Sequence, residues 1–103
     1  MNLNTYQAEA MSLRLPSANE FYAQLGLSGE VGELHSLLAK AVRDGAKDDI
    51  QLNIKKELGD ILWFIAAIAA DNGYSLEDVA VGNLTKLYKR KNANTLQGSG
   101  DER

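Results

Sequence analysis

The sequence predicts an all-α fold: a helical bundle of three main helices plus a short N-terminal helix. Three observations predict it. Apolar residues recur with the helical period of about 3.6 along most of the chain. Glycine, asparagine, aspartate and a single proline fall between the periodic stretches, where helices start and stop. No stretch of useful length alternates apolar and polar residues as a half-buried strand would.

The first helix spans Asn4 to Leu13, with Tyr6, Ala10 and Leu13 on one side. Pro16 breaks it, and Ser17 or Asn19 caps the next. The second helix covers residues 19–43 and stops at Asp44-Gly45. It contains Gly26, Gly29 and Gly32, each costing roughly 1 kcal/mol relative to alanine. Three such costs imply either close approach of another backbone or a local break near Gly26-Leu27-Ser28-Gly29. Asp48 or Asp49 caps a third helix over residues 49–72. Its second half, Ile61 to Ala70, is apolar nearly all round, as a buried central helix should be. Ser75 and Asp78 resemble a capping box for a fourth helix over 75–91, with Leu76, Ala80, Leu84 and Leu87 as its core stripe. Residues 1–91 thus form one domain, and residues 92–103 a polar tail, expected to be loose.

Composition narrows the classes. The chain has 103 residues, 45% of them hydrophobic, which is enough to fold with a modest core. A net charge of -3 argues against a general nucleic-acid binder. The absence of cysteine removes disulfides and thiolate metal sites. The first ten residues carry no apolar signal region, and Ile61 to Ala70 is too short to span a bilayer. The expectation is a cytoplasmic protein with neither nucleic acid nor membrane as partner.

The chemistry centres on two acidic stretches, Gly29-Glu30-Val31-Gly32-Glu33-Leu34 and Lys56-Glu57-Leu58-Gly59-Asp60-Ile61. Each holds two carboxylates three residues apart, one turn along the same helix face. Glu30 shares its side with Ala23, Leu27, Leu34, Leu37, Leu38 and Ala41, and Glu33 lies at the stripe's edge. Glu57 shares its side with Ile50, Ile54, Ile61, Phe64 and Ile68, and Asp60 lies at the edge. Buried carboxylates must find partners or stop being ionised. A hard divalent cation is the simplest way to hold four of them together, and an all-oxygen set favours Mg2+ or Mn2+. A lone E-x-x-E pair is usually solvated; two such pairs, both on apolar stripes, are a different matter.

On the fourth helix Asn83, Lys86 and Arg90 share one face beside the core stripe. Basic residues there also complement the helix C-terminal dipole, which accounts for Lys89 and Lys91 but not for Asn83. A cation stripe near acidic metal ligands suits a polyphosphate. His35, the sole histidine, falls on the polar side of helix two, and its absence from both acidic motifs counts against a di-iron site. Phe64 stacks on a ligand base or packs in the core; both readings stand. Trp63 points away from the Glu57 face, toward a contact with another subunit. Asp71 falls near the helix end.

Glu30-x-x-Glu33, then Glu57-x-x-Asp60, then Asn83-x-x-Lys86-Leu87-x-x-Arg90, closely resembles the MazG-like nucleoside triphosphate pyrophosphohydrolases. This all-α superfamily also holds dimeric dUTPases, dCTP pyrophosphatases and phosphoribosyl-ATP pyrophosphohydrolase. The resemblance covers roughly residues 20 to 91. One departure is Gly29, where many members carry a further glutamate and the dCTP-pyrophosphatase-like branch often has glycine. The resemblance implies that Glu30, Glu33, Glu57 and Asp60 bind magnesium ions. It implies hydrolysis of a nucleoside triphosphate to a monophosphate and pyrophosphate, with Glu30, the most central carboxylate of its stripe, as base. Asn83, Lys86 and Arg90 would hold the phosphate chain. A homodimer or homotetramer is implied, as is a role in nucleotide-pool cleansing. Within the superfamily the alternative is a dUTP or phosphoribosyl-ATP specialist. Outside it, the alternative is a helical interaction module whose carboxylates meet lysines such as Lys40, Lys55 and Lys56 across a dimer.

Overall fold

The computed structural model describes residues 1–102, and all its regular structure is helical. The helices are α1 (Leu3–Ser12), α2 (Glu20–Asp44), α3 (Ile50–Asp71) and α4 (Leu76–Asn92). Side chains close three of the N-termini: Asn2 accepts from the Thr5 amide, Asn19 from Tyr22 and Ser75 from Asp78. Asp49 stands at the N-cap of α3 but makes no such bond. Gly45, with φ of 87°, stops α2, and Gly73, with φ of 78°, turns the chain between α3 and α4.

α2 and α3 form an antiparallel hairpin across the short 45–49 connection, and they share the most extensive packing in the molecule. α3 is central: it packs against α1, α2 and α4. The core is built on Ala23, Phe64 and Ala67, with Met11, Leu27, Trp63 and Ile68 around it. α2 runs unbroken through its glycines. Gly26 supplies the close approach instead, since a Cβ there would run into the Phe64 ring. Gly29 and Gly32 meet nothing within 4 Å.

Polar contacts fasten α1 and the residues just after it, among them those of Gln7 and Arg14. Gln7 is buried; its amide nitrogen donates to the carbonyls of Ala66 and Tyr74, and its oxygen accepts from the Leu76 amide. It thereby satisfies backbone groups at the α3–α4 turn that would otherwise be costly to bury. Arg14 makes a two-pronged bond to Asp71 at 2.8 and 3.0 Å.

The expected stripes are only partly covered. Leu76 is buried and Ala80 half-buried, but Leu84 and Leu87 of α4 are exposed, as are Leu13 just past α1 and Ile65 of the central helix. Four helices with α3 in the middle leave the far stripes with nothing to pack on. No large side chain among the described residues is fully buried. Of the polar tail 92–103, Arg103 lies outside the described residues. No helix among the described residues is long and apolar enough to cross a membrane.

Candidate active site

The α2–α3 hairpin brings the two acidic motifs together. One carboxylate oxygen each from Glu30, Glu57 and Asp60 lies within 4.8 Å of the others. Glu30 and Glu57 are half-buried and Asp60 is exposed. Glu33, also exposed, lies outside this trio, yet close enough for its charge to act on Glu30. Burial first, then the charges of Asp60, Glu57 and Glu33 and a hydrogen bond with Glu57, raise the Glu30 carboxyl above the ordinary glutamate range. Among the described residues none of the four carboxylates is ion-paired; the salt bridges use Asp71, Asp44 and Asp101. Glu57 Oε2 is buried and has no hydrogen-bond partner.

These features fit a hard cation. Three oxygens converge from two rigid helices, their mutual repulsion is uncompensated, and one buried acceptor lacks a donor. An ion of the magnesium or manganese type would answer all three.

Beside the carboxylates lies a shallow cavity of about 200 Å³ lined by Tyr22, Glu30, Asp60, Trp63 and Phe64. The Phe64 ring is buried under Gly26 and is flanked by Tyr22 at 5.6 Å, tilted, and by Trp63 at 5.1 Å, edge-on. Trp63, expected to point away, instead lines this cavity. The signal was in the spacing: Trp63 is three residues beyond Asp60, on the same side of α3. Tyr22 follows the same logic, two turns before Glu30. Tyr6 was not legible in this way. It stands on α1, near enough to feel the site: burial and then the charge of Asp60 raise its hydroxyl above the usual tyrosine value.

The α4 residues stand apart. Lys86 and Arg90 line a different cavity, of about 270 Å³, with Gly82, Thr85, Lys89, Asp101 and Glu102. Arg90 is buried, Lys86 half-buried and Asn83 exposed. His35 is exposed, and Asp71 closes α3 in its pair with Arg14.

A sequence model of the MazG nucleotide pyrophosphohydrolase domain matches residues 22–94. The chain belongs to the MazG nucleotide pyrophosphohydrolase family. The match takes in the carboxylate hairpin and α4, while α1 and Tyr6 lie outside the matched span. Gene 37 protein of Mycobacterium phage L5 is 34% identical over 116 aligned residues, covering 100% of both chains. No solved structure matches this MazG chain.

Proposed function

We propose that this chain hydrolyses nucleoside or deoxynucleoside triphosphates to a monophosphate and pyrophosphate, with Mg2+, or Mn2+ in its place, held by Glu30, Glu57 and Asp60 with Glu33 beside them. One observation carries the reading: three carboxylates from two helices converge, and no ion pair among the described residues neutralises them. Membership of the MazG family supports the reaction class.

When bound, the ion neutralises charge on the phosphate oxygens and makes an attacking water more acidic. The chain's own residues do the rest. Glu30, half-buried where the two acidic motifs meet, takes the proton of the water as its oxygen attacks the α-phosphorus. The bond between the α-phosphorus and the bridging oxygen breaks, and pyrophosphate leaves with the electron pair. Tyr22 and Trp63 offer aromatic faces for the base. Phe64, largely covered, backs them more than it stacks. Asn83, Lys86 and Arg90 take the phosphate chain. In a single chain these cations line a separate cavity, and the proposed homodimer or homotetramer is what would set them across from the carboxylates. Exposed Phe21, Leu25, Val42, Leu58 and Leu84 support such an assembly, since apolar surface on this scale is rarely left in water. Nucleotide-pool cleansing in the cytoplasm is the physiological role proposed.

The rival, an interaction module with no chemistry, needs its carboxylates paired by lysines. Melting curves with and without Mg2+ or Mn2+ separate the two. A cation site raises the midpoint with a saturating dependence on ion concentration. A salt-bridged module responds to ionic strength alone, alike for Na+ and Mg2+ at matched strength, and that result would overturn the metal reading.

A further inference from the structure

The segment after α4 folds back over the helix it has just left. Asn94 turns the chain with φ of 58°, and the Thr95 amide donates to the Arg90 carbonyl at 2.7 Å. The return lays Asp101 on the two α4 cations. Lys86 Nζ lies 3.0 Å and Arg90 Nη2 3.2 Å from the same oxygen, Asp101 Oδ1. Arg90 Nη2 also donates to the Asp101 carbonyl at 3.0 Å and, at 3.5 Å, to that of Gly100. Lys86 first, then Arg90, holds the Asp101 carboxyl below its ordinary value.

Arg90 is unusual. It is the one charged residue among those described that is buried, with a side chain only 7% exposed. Its bonds to the tail all leave from Nη2, and its Nε is buried without a partner. A guanidinium is a fork of five donors suited to a two-pronged oxyanion. Here it is engaged by a carboxylate that is itself 78% exposed. Gly98 and Gly100, with φ of 101° and 89°, give the segment its bends on the approach to Asp101. The cavity around this contact is basic on the helix side, with Lys86, Lys89 and Arg90, and acidic on the tail side, with Asp101 and Glu102.

We propose that residues 98–102 form an acidic strap that occupies the α4 cation site in the absence of nucleotide, the Asp101 carboxylate standing where a phosphate oxyanion of the substrate or of pyrophosphate binds. It rests on the phosphate role proposed for Lys86 and Arg90. The strap is displaceable by design of its contacts. One carboxylate with a single negative charge faces a polyphosphate with several, and the Asp101 side chain is 78% exposed. Loading then carries a fractional penalty equal to the strap's closed population. Exposed carboxylate pairs are weak, so that penalty is about two- to fivefold in affinity.

The test is titration of the metal-free full chain, in chelator, with inorganic pyrophosphate, followed by calorimetry. Five proteins are compared: wild type, Asp101→Asn, a chain ending at Gly98, Lys86→Ala, and the Lys86→Ala/Asp101→Asn double variant. Both tail variants are expected to bind pyrophosphate about two- to fivefold more tightly than wild type, and Lys86→Ala more weakly. Adding Asp101→Asn to Lys86→Ala should yield a smaller gain than it does alone. If the tail variants bind as wild type does while Lys86→Ala weakens binding, the phosphate site stands and the strap does not. If Asp101→Asn tightens binding equally with Lys86 absent, the effect is general charge and the strap is again refuted. If no variant binds pyrophosphate, the phosphate role of α4 fails and the strap falls with it.

Discussion

Gly26→Ala tests how the aromatic wall is seated. A Cβ at this position would lie 2.5 Å from Phe64 Cζ and 3.0 Å from Cδ1, and would also overlap Cε1. Swinging the ring clear would disturb its contacts with Tyr22 and Trp63. Overpacking of this kind costs about 1–3 kcal/mol, and the gain of alanine over glycine inside a helix returns roughly 1 kcal/mol. The net is a loss of about 1 kcal/mol, or a fall of roughly 4–8 °C in Tm for a domain this size. Gly29→Ala is the control, because nothing lies within 4 Å of its added methyl; it should gain roughly 1 kcal/mol. Urea unfolding at one fixed protein concentration measures both, and the unfolding midpoints should move in opposite directions. Phe64→Leu placed in the Gly26→Ala background should recover part of the loss, since the smaller side chain makes room. Equal stabilisation by both alanines would refute the close approach and, with it, the account of why Phe64 is held where it is.

The remaining predictions concern charge and turnover. Glu30→Gln should lower kcat by a factor on the order of 10² or more with a smaller change in nucleotide affinity, whereas Lys86→Ala should raise KM; a near wild-type Glu30→Gln beside an inactive Glu33→Gln would transfer the base role to Glu33. Burial and acidic neighbours raise the Glu30 carboxyl, so Mg2+ competes there with a proton on the acid side: affinity should climb with pH until the carboxyl is ionised and level off above, with proton release on that acid side visible by calorimetry in buffers of different ionisation enthalpy. No proton release at any pH would remove Glu30 from the ion site. Asp71 behaves in the opposite sense. Its folded pKa is lowered, chiefly by the hydrogen bond from Arg14, so its contribution is present above the ordinary aspartate pKa and is lost as pH falls through the lowered value. Asp71→Asn should therefore cost up to about 1 kcal/mol at neutral pH and nothing below both pKa values; a cost that persists in strong acid would assign Asp71 another role.

Much of this was legible in the sequence because it depended on local periodicity. Glu30 and Glu57 sit among the apolar residues of their own helices, and a hairpin of two such helices brings those faces together without further information. Helix limits followed from caps and stops such as Asn19, Gly45 and Ser75. What was not legible depended on contacts distant along the chain. Gln7 closing the α3–α4 turn, Arg14 meeting Asp71, Tyr6 reaching toward Asp60 and Asp101 returning to Lys86 are each fixed by how helices cross, and no short window encodes that. The stripe of α4 misled for a related reason: Leu84 and Leu87 have the period of a core face, but the described residues of one chain leave them 52% and 38% exposed. Glu33, on the right helix beside the right stripe, stays outside the trio, because a residue at a stripe's edge points either way.

The central claim is attack at the α-phosphorus by water under these carboxylates. Turnover of a panel of ribo- and deoxynucleoside triphosphates with Mg2+ in oxygen-18 water, read by mass spectrometry of both products, tests it directly. The account predicts one labelled oxygen in the nucleoside monophosphate, unlabelled pyrophosphate, and no turnover when Glu30, Glu57 and Asp60 are all replaced by neutral amides. Label in pyrophosphate or orthophosphate with an unlabelled nucleotide product, or undiminished turnover by the amide variant, would contradict it.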